Sequence, residues 1–164
     1  MKHFEIERKF LIEMPDLESL ESFEGVRVLE LVQTYTTLGI RLRKQTENAT
    51  TIYIKTEKHK VSDMTRIEEE SEIGREEYET LLRLADEGLS PIKKTRYCLP
   101  FGGKTVEIDV FPFWEHQAFC EIELTSEDEK FILPDFIKVI RELTSDKAYR
   151  NYSLAKNIPN EEIF

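Results

Sequence analysis

The sequence predicts an α+β protein: an eight-stranded antiparallel sheet closed into a β-barrel, a tunnel with a charged interior and helices packed outside. Three observations predict it. Segments alternating between apolar and polar residues recur along most of the chain. The polar members are almost all Asp, Glu, Lys or Arg. Strand patterns follow one another without the βαβ alternation that a parallel sheet requires.

The first strand spans 3–12. In "FEIERKFLI", Glu5, Glu7 and Lys9 share one face, while Phe4, Ile6 and Phe10, with Ile12 beyond, share the other. Strands at 26–37, 40–46, 51–58 and 64–73 follow. "GIRLRK" sets Arg41 and Arg43 against Ile40 and Leu42. "TRIEEESEI" aligns Arg66, Glu68 and Glu70 and turns Glu69 outward. A helix over 75–87 follows from the spacing of Tyr78, Leu81, Leu82 and Ala85, with Gly88 as its stop. Three more strands occupy 91–99, 104–112 and 118–125. They align Lys94 with Arg96, Glu107 with Asp109, and Glu121 with Glu123. Turn signals at Gly39, Glu47-Asn48, Gly88 to Pro91 and Gly102-Gly103 separate several strands. Two helices close the chain. One covers 134–143, through Phe136, Val139, Ile140 and Leu143, with Pro134 in its first turn. The other covers 146–156, through Ala148, Tyr149, Tyr152 and Ala155, with Ser145 as its cap.

A single alternating strand is an ordinary wet face. Six of them, with like charges two residues apart on one face, need something of opposite charge between the rows. A barrel that turns its charged faces inward supplies the place. Eight strands enclose room for one small ligand. A ligand answering both arginine pairs and carboxylate pairs carries both kinds of charge, as a polyphosphate with bound Mg²⁺ or Mn²⁺ does. Clustered carboxylates should have raised pKa values, so metal binding should release protons.

At 164 residues the chain is expected to form a single domain over 1–164. Its 23 basic and 33 acidic residues give a net charge of −10, which argues against nucleic-acid or anionic-membrane partners. No membrane-spanning run and no signal-peptide pattern occur, so a cytoplasmic protein is expected. Cys98 and Cys120 should face opposite sides of the sheet as free thiols. His3, His59 and His116 lack metal-ligand spacing and are expected at the surface. Trp114 is expected to pack a loop or dimer contact rather than stack on a ring, and 126–130 to form a solvated loop. Tyr35 fits the tunnel wall or the core equally well.

Taken in order, "EIERKFLI", "QTYTTLGIRLRK", "TRIEEESEI", "IKKTRY", "VEIDVF", "CEIEL" and "SDKAYRNYSLA" resemble the motifs of the CYTH superfamily, the triphosphate tunnel metalloenzymes. The matches cover nearly the whole chain, and the first carries the ExExK signature. The resemblance implies an antiparallel tunnel open at both ends, with the helix 146–156 closing one mouth. It implies a metal-dependent triphosphatase using Mg²⁺ or Mn²⁺ on a small anionic triphosphate, inorganic tripolyphosphate or an organic one. An adenylate cyclase of the same fold, or a noncatalytic polyphosphate- or nucleotide-binding protein, is the alternative; a monomer or a homodimer would serve. By the same resemblance Glu5, Glu7, Asp109, Glu121 and Glu123 hold metal. Lys9, Arg41, Arg43, Arg66, Lys94 and Arg96 grip phosphate. Glu5, Glu7, Lys9, Glu68 and Glu70 carry the catalytic chemistry, with Glu68 or Glu70 orienting water. The family's T-x-K lysine matches Lys58, whereas simple alternation favours Lys55; a bulge would reconcile the two, and both remain candidates. Few residues separate Tyr35 from Arg41, which shapes one mouth.

Overall fold

The computed structural model describes residues 2–162. Eight strands form the barrel: β1 (Lys2–Glu13), β2 (Arg27–Tyr35), β3 (Arg41–Glu47), β4 (Thr50–Lys60), β5 (Thr65–Ile73), β6 (Ile92–Phe101), β7 (Lys104–Val110) and β8 (Gln117–Leu124). Around the barrel they run β1-β5-β4-β3-β2-β6-β7-β8 and return to β1, every pair antiparallel. Each expected strand is present. The β6–β7 hairpin turns through Gly102 and Gly103, whose φ angles of 61° and 76° suit a two-residue turn that follows the sheet's twist.

β1 is the seam. Its whole length from Ile6 pairs with β8, but only Lys2–Ile6 pairs with β5. Beyond that point its second edge is open, and a ninth strand, β9 (Val139–Glu142), pairs with Phe10–Ile12. The helix expected over 134–143 is therefore absent. An exposed strand edge has backbone groups to satisfy, and a short extended segment satisfies them where a helix could not. Of the residues in its apolar spacing only Leu143 is fully buried, Val139 is exposed, and the buried Ile137 lies outside the spacing.

The outer faces are covered as the charge pattern demands. Phe10, Ile12, Leu99, Val106, Ile108, Cys120 and Ile122 pack beneath a short helix, α1 (Leu17–Glu21), and the segment around Ile137. The Asp16 carboxylate caps α1 by accepting from the Ser19 amide at 3.2 Å. Five residues are too few for a helical period, and the sequence reading has no helix there. The second helix, α2 (Arg75–Leu82), lays Tyr78 on Leu42 and Ile73 over β3 and β5. It ends earlier than its apolar spacing suggests. Leu84 and Ala85 pair with Thr36 and Thr37 instead, through a bridge and a 2.9 Å backbone bond.

The expected helix over 146–156 is a 3₁₀ turn (Lys147–Tyr149) followed by one helical turn, α3 (Asn151–Leu154). Asp146 rather than Ser145 is the cap, accepting from the Ala148 amide at 3.0 Å. Among the described residues no helix is long and apolar enough to cross a membrane.

Candidate active site

The inner face changes character along the barrel. At the end where β1 finishes, Leu11, Ile92, Phe111 and Phe119 continue the inward rows and pack with Trp114, Leu143, Tyr149 and Leu154. Aromatic edges meet at centroid distances near 5 Å, as in Phe111–Phe119 at 5.0 Å and Trp114–Phe119 at 5.2 Å. The segment after β9 is stitched to β1: the Leu143 amide donates to the Lys9 carbonyl at 2.7 Å, and the Lys9 amide donates to Thr144 Oγ1 at 3.0 Å. Trp114 is buried here, its indole N–H donating to the Pro159 carbonyl at 3.0 Å. It packs within the chain, as one of the readings from sequence expected.

Beside this cluster lies a cavity of about 280 Å³ lined by Glu7, Lys9, Tyr35, Arg41, Lys58, Arg66 and Glu121, and by Arg150, Asn151 and Tyr152 from the C-terminal segment. Tyr35 stands on its wall, edge-on to Tyr152 at 5.3 Å. Gly39, with φ of 74°, lets the short β2–β3 connection turn back at this rim.

Two kinds of charge face each other inside. On the acidic side the Lys58 ammonium lies 2.9 Å from Glu5 and 3.3 Å from Glu68, and the Lys9 ammonium 3.6 Å from Glu121. Lys9 also donates to the Tyr149 carbonyl at 2.6 Å and sits 4.0 Å from the Phe119 ring centroid. Burial, then the neighbouring Glu121 and Glu5, push the Glu7 carboxyl up to about 8. Glu107 and Glu123 are also raised, both chiefly by burial. Glu121 moves the other way: burial opposes its charge, but Lys9, Arg96 and Lys94 together outweigh that. The expectation of raised carboxylates thus holds for three of these groups and fails where a lysine is in contact.

On the basic side Arg96 grips Asp109 through two bonds of 2.7 and 2.9 Å and reaches Glu107 at 3.0 Å. Lys94 lies 2.7 Å from the same Asp109 and donates to Asn151 at 3.2 Å. Burial opposes charge on Asp109, but Arg96 and Lys94 prevail and hold its carboxyl well below the ordinary range. Asp109 is fully buried with both oxygens engaged. The resemblance gave it to metal; here it braces the basic pair.

Arg41 and Arg43 are different. The Nε of each is buried without a hydrogen-bond partner, as are one terminal nitrogen of Arg150 and both amide atoms of Gln33. Burial and the neighbouring Arg41 and Arg96 push Arg43 down to about 9. Buried N–H groups left unsatisfied are costly, so this set is poised for an anion. Opposite it, the carboxyls of Glu7 and Glu123, raised chiefly by burial, stand with those of Glu5 and Glu121, which pair with lysines. All-oxygen donors from Glu5, Glu7, Glu121 and Glu123 suit a hard divalent ion. The residues present therefore fit the divalent metal that the resemblance implies.

The structure decides between the two lysines of β4. Lys58 points inward and Lys55 points out, 3.1 Å from Glu77 on α2. Registers through β4 are unbroken, so no bulge intervenes. Ile54, Thr56 and Lys58 share the inner face, with Thr56 donating to Glu70 at 3.3 Å. Arg66 lines the cavity and Glu68 is buried. His3 is exposed, as expected, and its Nε2 is 3.9 Å from Glu68, directly across from it in the β1–β5 register. Cys98 lies inside with Leu29 and Leu31, Cys120 lies in the outer core, and both are free thiols. Sequence reasoning missed Arg150 and Gln33. Gln33 shares the parity of Tyr35, and Arg150 stands in the quoted "SDKAYRNYSLA", so both signals were present.

Residues 3–152 match the CYTH domain family. The chain is 36% identical to a protein of Nitrosomonas europaea named inorganic triphosphatase, over 94% of this chain and 99% of that one. It resembles a crystal structure of an inorganic triphosphatase at TM-score 0.57 and 32% identity, covering 95% and 97% of the two chains. A conserved hypothetical protein from Pyrococcus furiosus shares the fold at TM-score 0.52 and 24% identity, over 76% of this chain and 80% of that one. A tunnel of opposed charge rows, matched along nearly its whole length, makes this chain a member of the CYTH family.

Proposed function

We propose that this protein is a metal-dependent triphosphatase that hydrolyses a phosphoanhydride bond of a small triphosphate, inorganic tripolyphosphate foremost, with Mg²⁺ or Mn²⁺. One observation carries the reading: buried guanidinium N–H groups without partners share an interior with clustered carboxylates, among them Glu7, whose charge is disfavoured by burial and by neighbouring acids. Triphosphate with a divalent cation satisfies both.

Phosphoryl transfer needs positioning and charge neutralisation more than covalent chemistry. Arg41, Arg43 and Arg150 would hold non-bridging phosphate oxygens from one side, and Lys9, Lys58 and Arg66 from the other. Lys94 and Arg96, fixed by Asp109, set the positive floor. Glu5, Glu7, Glu121 and Glu123 would hold the metal, whose chemistry is to neutralise phosphate charge and raise the acidity of bound water. Glu68 or Glu70, on β5, would orient the attacking water. The aromatic cluster keeps bulk water from one end, which strengthens every charge contact inside.

The test is direct. The protein is incubated with tripolyphosphate, ATP or thiamine triphosphate in Mg²⁺ or Mn²⁺, and phosphate, pyrophosphate and cyclic AMP are measured. Phosphate release from at least one substrate, lost in Glu5→Gln, is expected. Cyclic AMP with pyrophosphate would replace the reading by a cyclase, and tight binding without turnover by a sensor.

A further inference from the structure

The N-terminal end of β1 carries the inner row two residues past Glu5, to His3. There one imidazole nitrogen and one carboxylate oxygen from each of Glu5 and Glu68 lie within 4.8 Å of one another. We propose that His3, Glu5 and Glu68 form a divalent-metal site at this end of the tunnel, one that takes transition ions such as Mn²⁺, Co²⁺ or Zn²⁺ in preference to Mg²⁺.

Geometry comes first. His3 and Glu68 are opposite each other across the β1–β5 ladder, so the backbone sets their separation. Their nearest atoms are 3.9 Å apart. Two ligands each about 2.1 Å from one ion stand roughly 3 to 4 Å apart, so little side-chain movement is needed. Glu5 follows His3 by two residues and so shares its face.

Glu68 supplies an independent observation. Its side chain is 5% exposed, and its Oε2 accepts no hydrogen bond. That oxygen has an ammonium as its counter-charge but no hydrogen bond, a loose pairing that a directly bound ion can replace. The Lys58 ammonium stands 3.3 Å from it and 2.9 Å from Glu5. In the metal-free protein the lysine holds the place that the ion would take. An arriving ion displaces the ammonium and frees it for phosphate.

Ligand chemistry sets the selectivity. Mg²⁺ favours oxygen donors and holds its water firmly, whereas imidazole suits Mn²⁺ less than Co²⁺ and Zn²⁺ but all three more than Mg²⁺. His3 is 42% exposed at its side chain, so one face of the ion stays open to water or substrate.

The inference deepens the triphosphatase reading through the shared Glu5, and its test needs no turnover. Untagged protein without substrate is titrated with Co²⁺ and with Zn²⁺, by visible absorption and by calorimetry, and with Mg²⁺ by calorimetry. His3→Ala should weaken Co²⁺ and Zn²⁺ binding at least tenfold and remove the absorption band of a nitrogen-ligated ion, while Mg²⁺ binding changes less than twofold. Lys58→Met, which removes the competing ammonium, should tighten Co²⁺ binding. In a separate arm, Mn²⁺ should broaden the His3 ring resonances in the wild-type protein. This arm needs no variant to fold. Equal Co²⁺ affinity in wild type and His3→Ala, or unbroadened His3 resonances under saturating Mn²⁺, overturns the site. Phosphate release by the wild-type protein in Mg²⁺ alone tests the parent reading separately.

Discussion

Lys9 and Leu11 are two residues apart on one face of one strand, yet they inhabit different chemistries. Lys9 lies among carboxylates beside the cavity, whereas Leu11 is fully buried against aromatic rings. The same step separates Glu121 from Phe119 on β8, Lys94 from Ile92 on β6, and Asp109 on β7 from Phe111 just past its end. Strand alternation decides only that all of these point inward. What fills the space decides the rest. The C-terminal segment brings Leu143, Tyr149 and Leu154 into the apolar end and leaves the charged end for a ligand. Stability and reactivity are thus stacked along one axis. The packed end holds the barrel, and the charged end carries the unfavourable burial that a substrate relieves.

The comparison is best broken from the charged side first. Replacing both Arg41 and Arg43 by Ala should lower kcat/KM for triphosphate about 10³-fold, roughly 4 kcal/mol of transition-state stabilisation, while the melting temperature holds or rises. Phosphate release and thermal melts measure this; an unfolded double variant would mean that the guanidiniums hold the barrel. The apolar side should answer in the opposite way. Leu11→Ala removes a fully buried side chain and should destabilise the fold by about 3 kcal/mol in urea titration, with substrate affinity changed only a few-fold.

A smaller effect follows from pH. The Glu7 carboxyl is raised from 4.5 to about 8, so between those values the folded protein holds a proton that the unfolded chain has lost. Stability must then fall as pH rises through this window. In metal-free protein the melting temperature should therefore be lower at pH 8 than at pH 5. Glu7→Gln should flatten that slope. The smallest change is expected outside the barrel. Lys55→Ala removes an exposed pair with Glu77 and should shift stability by less than about 0.5 kcal/mol and leave turnover intact, where Lys58→Ala should not.

Much of the fold was readable because its signal is a period of two. Ionic rows such as Glu5-Glu7-Lys9 and Arg41-Arg43 marked strands and inner face together. The apolar continuation at Leu11, Phe111 and Phe119 had the same parity, but an apolar residue on an inner face looks like any core residue until its neighbours are known. The segment 134–143 misled for a related reason. Over ten residues a helical spacing of apolar side chains does not specify the backbone, and the open edge of β1 chose a strand. Lys55 and Lys58 could not be told apart until the β3–β4 and β4–β5 registers fixed which parity of β4 faces in. The exposure of His3 was legible, but its pairing with Glu68 was not, because the two are distant in sequence and adjacent only across a ladder. Arg150 stands within a motif that was read, but its place at the cavity depends on the C-terminal segment crossing the barrel, which the motif by itself does not specify.

The seam at β1 has a consequence for how the chain reaches its native state. Lys9 must wait for Glu121, and Leu11 for Phe119, so β1 finds its long partner only once the distant β8 exists. Hairpins β2–β3, β3–β4, β4–β5 and β6–β7 are local and can form early. Ring closure is the most non-local event, and proteins dominated by such pairings fold on millisecond-to-second timescales. It is also the step that gathers the carboxylates of β1, β5 and β8 into one space. Divalent ions present during refolding should therefore speed the final closing phase, by screening a repulsion that the open sheet does not feel.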